Sequence, residues 1–119
     1  MELRDLLETQ HQFDESHGWS VDRADASAVV RAVSDDIVGL VGELGEFANH
    51  IKKVNLATKS VGAEPHRELD LRRADLAEEL VDTFIYLVRI ATHLNVDLEA
   101  EYLAKLEVNR KRYAGHEGR

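Results

Sequence analysis

Four carboxylates occur as two pairs, each pair three residues apart: Glu43 with Glu46, and Glu79 with Asp82. Residues at this spacing share one face of an α-helix, so each pair can present two anionic oxygen groups to a common ligand. At about 100° per residue, Glu79, Asp82, Tyr86, Arg89 and His93 fall within a stripe about 80° wide. Leu80, Val81, Phe84, Leu87, Val88 and Ala91 cover the other side. A solvated acidic surface accounts for either pair taken singly. If the two helices pack antiparallel, however, the four carboxylates converge on one volume. Two charges about 4 Å apart repel by about 4 kcal/mol at an effective dielectric of about 20, so such a cluster calls for cations. The chain has no cysteine, and neither helix carries Glu-x-x-His. An all-oxygen donor set favours Mg²⁺ or Mn²⁺ over zinc or a di-iron centre.

The elements that must position these groups are helical. Seven glycines, one proline, recurrent leucine at 3.6-residue spacing and no alternation of β-branched residues predict an all-α chain. A first helix is expected over 2–16, with Leu3, Leu6, Leu7, Gln10 and Phe13 on one stripe. Trp19, the sole tryptophan, falls in the connection that follows. A long helix is expected over 26–54, with Gly39, Gly42 and Gly45 in its interior. Each glycine costs about 1 kcal/mol relative to alanine there, which a bend, close helix packing or an approaching ligand would offset. Residues 55–70 lack an apolar period and contain Pro65, and read as the main loop. Helices over 71–94 and 98–113 complete an antiparallel bundle of about four main helices, with Asp97 placed to cap the last. Residues 1–113 are expected to form one domain and 114–119 a flexible tail.

Composition limits what such a domain can do. A chain of 119 residues holds one core of ordinary size. No stretch is apolar enough to span a membrane, and the acidic N-terminal segment does not resemble a secretory signal. Without cysteine there is no disulfide, thiolate metal site or thiol nucleophile, and a soluble, cytoplasmic protein fits best. A formal charge of -8 is the wrong sign for tight nucleic-acid binding but suits a site that gathers divalent cations.

The run Val41-Gly42-Glu43-Leu44-Gly45-Glu46-Phe47-Ala48, followed by Glu78-Glu79-Leu80-Val81-Asp82-Thr83-Phe84-Ile85-Tyr86-Leu87-Val88, resembles the MazG-type all-alpha nucleoside triphosphate pyrophosphohydrolases. The closing Lys105-Leu106-Glu107-Val108-Asn109-Arg110-Lys111-Arg112-Tyr113 is similar to the last helix of their short, dCTP-pyrophosphatase-like branch. The resemblance implies Mg²⁺-dependent hydrolysis of a (deoxy)nucleoside triphosphate to monophosphate and pyrophosphate, in the upkeep of the nucleotide pool. The family's metal and catalytic pattern falls on Glu43, Glu46, Glu79 and Asp82. By similarity Trp19 and Tyr86 would pack around the base or sugar, and Lys105 and Asn109 would reach the nucleotide, from an adjoining subunit if necessary. Gly39-Leu40 stands where relatives carry a further acidic pair, Lys53 where the short branch has an aromatic residue, and Gln10 where it has a histidine. Base preference is therefore left open.

On residue type alone, Arg89 is expected to pair with Asp82 or Glu79, and His50, His66 and His93 to be polar seam or loop residues. A subunit this small leaves much apolar surface uncovered, which predicts a homodimer or homotetramer. The alternative reading is a noncatalytic helical oligomerisation or nucleotide-sensing module with a structural cation site.

Overall fold

The computed structural model describes residues 1–116, and the side chains of 1–115. Four helices account for most of them: α1 Leu3–Ser16, α2 Ala26–Thr58, α3 Pro65–His93 and α4 Leu98–Arg112. No strand occurs among the described residues. The all-α architecture is that expected from periodicity. The 3₁₀ turn Ala114–His116 follows α4, and residues 117–119 of the expected tail lie outside the described residues.

The ends of the helices follow from local chemistry. The Asp25 side chain accepts from the Ala28 amide at 3.1 Å to start α2, and Asp97 accepts from Ala100 at 3.1 Å to start α4, each satisfying an otherwise orphaned donor. Past α1 the chain turns at Gly18, whose φ of 74° suits a residue without Cβ. The expected loop at 55–70 is the main correction to the fold. Helix α2 continues to Thr58 and α3 begins at Pro65, leaving only 59–64 as a connection, with Gly62 at φ 78°. Proline at the first helical position loses no hydrogen bond and arrives with its φ already set, so Pro65 opens a helix where a loop is expected.

A six-residue connection between two long helices forces them antiparallel, and α2 with α3 forms the body of the molecule. Helix α1 lies against α3, and α4 packs chiefly on α1, where Arg4 bridges Asp97 and Glu99, both at 3.2 Å. The α1 stripe is rotated from the expected one. Leu3, Leu7, Gln10, His11 and Asp14 turn inward, whereas Leu6 and Phe13 stay exposed. The cause is Asp14, which is drawn in by a cation on α3.

The core of the single chain is small. Leu76, Val88 and Ala91 are its buried apolar side chains among the described residues. The polar stripes of α2 and α3 face each other, while Val38, Val41, Leu44, Leu80, Val81 and Leu87 lie outward and exposed. The radius of gyration is 18.6 Å, against about 13.5 Å for a compact chain of this length. Among the described residues no helix is long and apolar enough to cross a membrane.

Candidate active site

The antiparallel pairing of α2 and α3 builds the site as a ladder of facing residues. Along α2, Asp36, Gly39, Glu43, Glu46 and His50 recur at three- and four-residue steps and so share a face. Opposite them on α3, running the other way, stand His93, Tyr86, the pair Asp82 and Glu79, and Arg72. His93 Nε2 lies 2.9 Å from Asp36 Oδ2, and Arg72 Nη1 lies 3.4 Å from His50 Nδ1.

In the middle of the ladder, carboxylate oxygens of Glu43, Glu79 and Asp82 lie within 4.8 Å of one another. That is close to the width of a hard-cation coordination shell, roughly 4–5 Å across for metal–oxygen bonds of this class. One oxygen of Glu43 and one of Glu79 are shut off from solvent without a hydrogen-bond partner. Buried acceptors left so are costly, and a cation or a proton is what they lack. The electrostatics agree: the Glu79 carboxyl is pushed up to about 8, first by the facing Glu43, then by desolvation and by Glu46. Glu46 thus stands beside Glu79 although its own side chain is exposed. All donors are carboxylate oxygens, the set a hard divalent cation prefers.

Next to the carboxylates lies an aromatic and cationic wall. Tyr86, one turn beyond Asp82, lays its ring against Gly39, where any Cβ would collide with the ring. Close approach of a neighbour therefore explains Gly39, whereas Gly42 and Gly45 face open space in the single chain. Trp19 stacks on His17 with ring centroids 4.9 Å apart and meets the edge of Phe13 at 5.9 Å. The Arg89 guanidinium carbon sits 5.0 Å from the Trp19 ring centroid and 5.5 Å from that of Tyr86. A cavity of about 310 Å³ opens here between Trp19, Ala32, Asp35, Asp36, Arg89 and His93.

The expected partner of Arg89 is not the one found. Its Nε donates to Asp14 Oδ1 at 3.1 Å, the same oxygen that receives Gln10 Nε2 at 2.8 Å. Both members of the ion pair are largely buried. Direction explains the difference: Arg89 is at the edge of the α3 stripe nearest α1 and leans toward that helix. Asp14 and Asp36 were missed by the sequence reading, although each breaks an amphipathic stripe with a carboxylate, which is a readable signal. Lys105 and Asn109 are not brought to the carboxylates by any described contact of α4, whose principal helix neighbour is α1.

The chain is 40% identical over 81 residues to human dCTP pyrophosphatase 1, a match covering 67% of this chain and 45% of the relative. The mouse protein of the same name is 39% identical over 80 residues, again 67% of this chain and 45% of the relative. Over this stretch the chain is similar to proteins named dCTP pyrophosphatase 1. It spans about half the length of the curated relatives it matches, and no family model matches it. The two motifs on α2 and α3 are the ones that face each other across the carboxylate cluster.

Proposed function

We propose that this protein hydrolyses a (deoxy)nucleoside triphosphate to the monophosphate and pyrophosphate with the aid of Mg²⁺, or Mn²⁺ in its place. The observation carrying this reading is the convergence of Glu43, Glu79 and Asp82 oxygens within 4.8 Å, two of these residues holding buried, unpartnered oxygens. The dCTP pyrophosphatase relatives supply the reaction class. Glu43, Glu79 and Asp82 would hold the cation, with Glu46 beside them. When bound, the cation supplies charge neutralisation for the phosphates and a lowered pKa for a coordinated water.

The chain's own groups supply the rest. Water oxygen attacks the α-phosphorus, the bond from that phosphorus to the bridging oxygen breaks, and pyrophosphate departs with the electron pair. Glu46, exposed at the rim, is placed to take the proton from the attacking water. Tyr86 and Trp19 flank the space beside the cluster, where a base could lie flat against a ring. Lys105 and Asn109 reach the nucleotide from a second subunit in this reading, because α4 of the same chain packs on α1.

A homo-oligomer, dimer or tetramer, is part of the proposal. The accessible surface is 8786 Å², against about 6,500 Å² for a compact monomer of this mass, and much of the outward face of α2 and α3 is apolar. Nucleotide-pool upkeep in the cytoplasm, with no nucleic-acid or membrane partner, completes the reading.

The test is to incubate the purified protein with individual dNTPs and NTPs, with Mg²⁺, Mn²⁺ or a chelator, and to separate the products. Monophosphate plus pyrophosphate is the expected result, abolished by the chelator. Asp82→Asn is expected to lower turnover by about 10²-fold or more at unchanged helix content, since one charged cation ligand is lost. Near-normal turnover in that variant would remove the cluster from the reaction. Nucleotide-dependent thermal stabilisation without turnover would favour a sensing module.

A further inference from the structure

Among the described residues Arg89 is the guanidinium set into the aromatic wall, and its tie to Asp14 leaves part of it unused. A guanidinium carries five N–H donors in a rigid fork and no acceptor. Its Nε is committed to Asp14 Oδ1 at 3.1 Å, which fixes the plane of the group. Its remaining described contacts are the faces of Trp19 and Tyr86. Arg89 lines the cavity formed with Trp19, Ala32, Asp35, Asp36 and His93, and among the described residues its Nη groups make no hydrogen bond. That cavity combines the Trp19 ring, a held guanidinium and two carboxylates. Asp36 is itself fixed by His93 at 2.9 Å.

We infer that Arg89 is a specificity-determining residue that reads the nucleobase, selecting bases with a keto oxygen beside an unprotonated ring nitrogen. Cytosine presents O2 with N3, and guanine presents O6 with N7, so each offers the two adjacent acceptors a fork requires. Thymine and uracil place a ring N–H beside their keto oxygens, which would oppose the donors of Arg89. Adenine has no keto oxygen. Both favoured bases also carry an exocyclic amino group that can donate to a carboxylate such as Asp35 or Asp36, whereas a thymine has none. Asp14 acts through Arg89 as a positioning residue. The inference rests on the nucleotide reading given above and concerns its base.

Trp19 is the only tryptophan in the chain, so its fluorescence reports on this cavity independently of turnover. The experiment titrates the full chain with dCMP, dGMP, dAMP and dTMP, corrected for nucleotide absorption, and repeats it with Arg89→Lys. Lysine keeps the charge opposite Asp14 but loses the fork. In the unsubstituted protein dCMP and dGMP should bind roughly ten- to a hundred-fold more tightly than dAMP and dTMP, the range of one bidentate base contact. In Arg89→Lys the four should converge to within about threefold, with helix content retained.

A uniform loss across all four bases, or an unsubstituted protein that binds all four alike, would overturn the inference and leave Arg89 as a tie between α1 and α3. If base discrimination holds while triphosphates are not hydrolysed, the catalytic reading fails and the base-reading role stands. If hydrolysis proceeds without discrimination, the reverse is true. Asp14→Asn gives a second check, because loosening the guanidinium should narrow the base ranking in the same direction.

Discussion

At the scale of single residues the strongest constraint is the charge crowding around Glu79. Its carboxyl is raised from 4.5 to about 8 by Glu43, desolvation and Glu46. In the cation-free protein the folded state therefore holds a proton that the unfolded chain has released at those intermediate pH values. Stability must fall as pH rises from about 4.5 to about 8, since proton binding favours the folded form across that window. We expect the melting temperature without divalent cation to drop across this range, and Mg²⁺ to raise it more at the alkaline end. A melting temperature flat with pH and indifferent to Mg²⁺ would separate the three carboxylates.

Gly39 gives a second expectation at this scale. Alanine there would gain about 1 kcal/mol of helix propensity, while its Cβ would displace the Tyr86 ring. Only the far end of that ring is struck, so it can swing aside. Stability in urea should change by less than about 1 kcal/mol, while nucleotide affinity falls severalfold. Unchanged affinity would take Tyr86 out of the binding wall.

At the scale of elements, α2 and α3 are unusual in turning their polar stripes toward each other. Spacing revealed the stripe on α3 and the Glu43–Glu46 pair on α2, because the period of a helix is a local property of the chain. It could not say that Arg89 belongs to α1, because the reach of a side chain to a third helix depends on packing. The same holds for α1 itself, where an expected stripe through Leu6 and Phe13 gave way to one through Asp14. Gly42 and Gly45 still require an account, since nothing in the single chain lies within 4 Å of a Cβ built on either. In a lone helix Gly42→Ala would add about 0.5–1 kcal/mol of stability. If the outward face packs on a second copy, the same change should instead lower the melting temperature and weaken the assembly. Higher stability at unchanged assembly mass would place Gly42 in solvent.

At the scale of the whole molecule, a chain with three buried apolar side chains among its described residues lacks the interior that stabilises a domain of this length. In the proposed homo-oligomer a second copy would cover the outward apolar face, and the same arrangement would bring a foreign α4, with Lys105 and Asn109, toward the carboxylates. Sedimentation should give a mass at least twice 13.4 kDa. Introducing Glu at both Val38 and Val81, which are 73% and 57% exposed in the single chain, should dissociate it. A monomeric mass for the unsubstituted protein would exclude this interface.

The sequence alone determined the helices, the two carboxylate pairs on their faces and the absence of cysteine, since each follows from residue type and local spacing. Tertiary structure decided the rest. A short connection opened by Pro65 set α2 against α3, and that register brought Glu43 opposite Glu79 and Asp82, and Tyr86 opposite Gly39. It also gave Arg89 to Asp14 and left the apolar faces outward. These outcomes depend on which stripe meets which in space, and no spacing along a single helix encodes that choice.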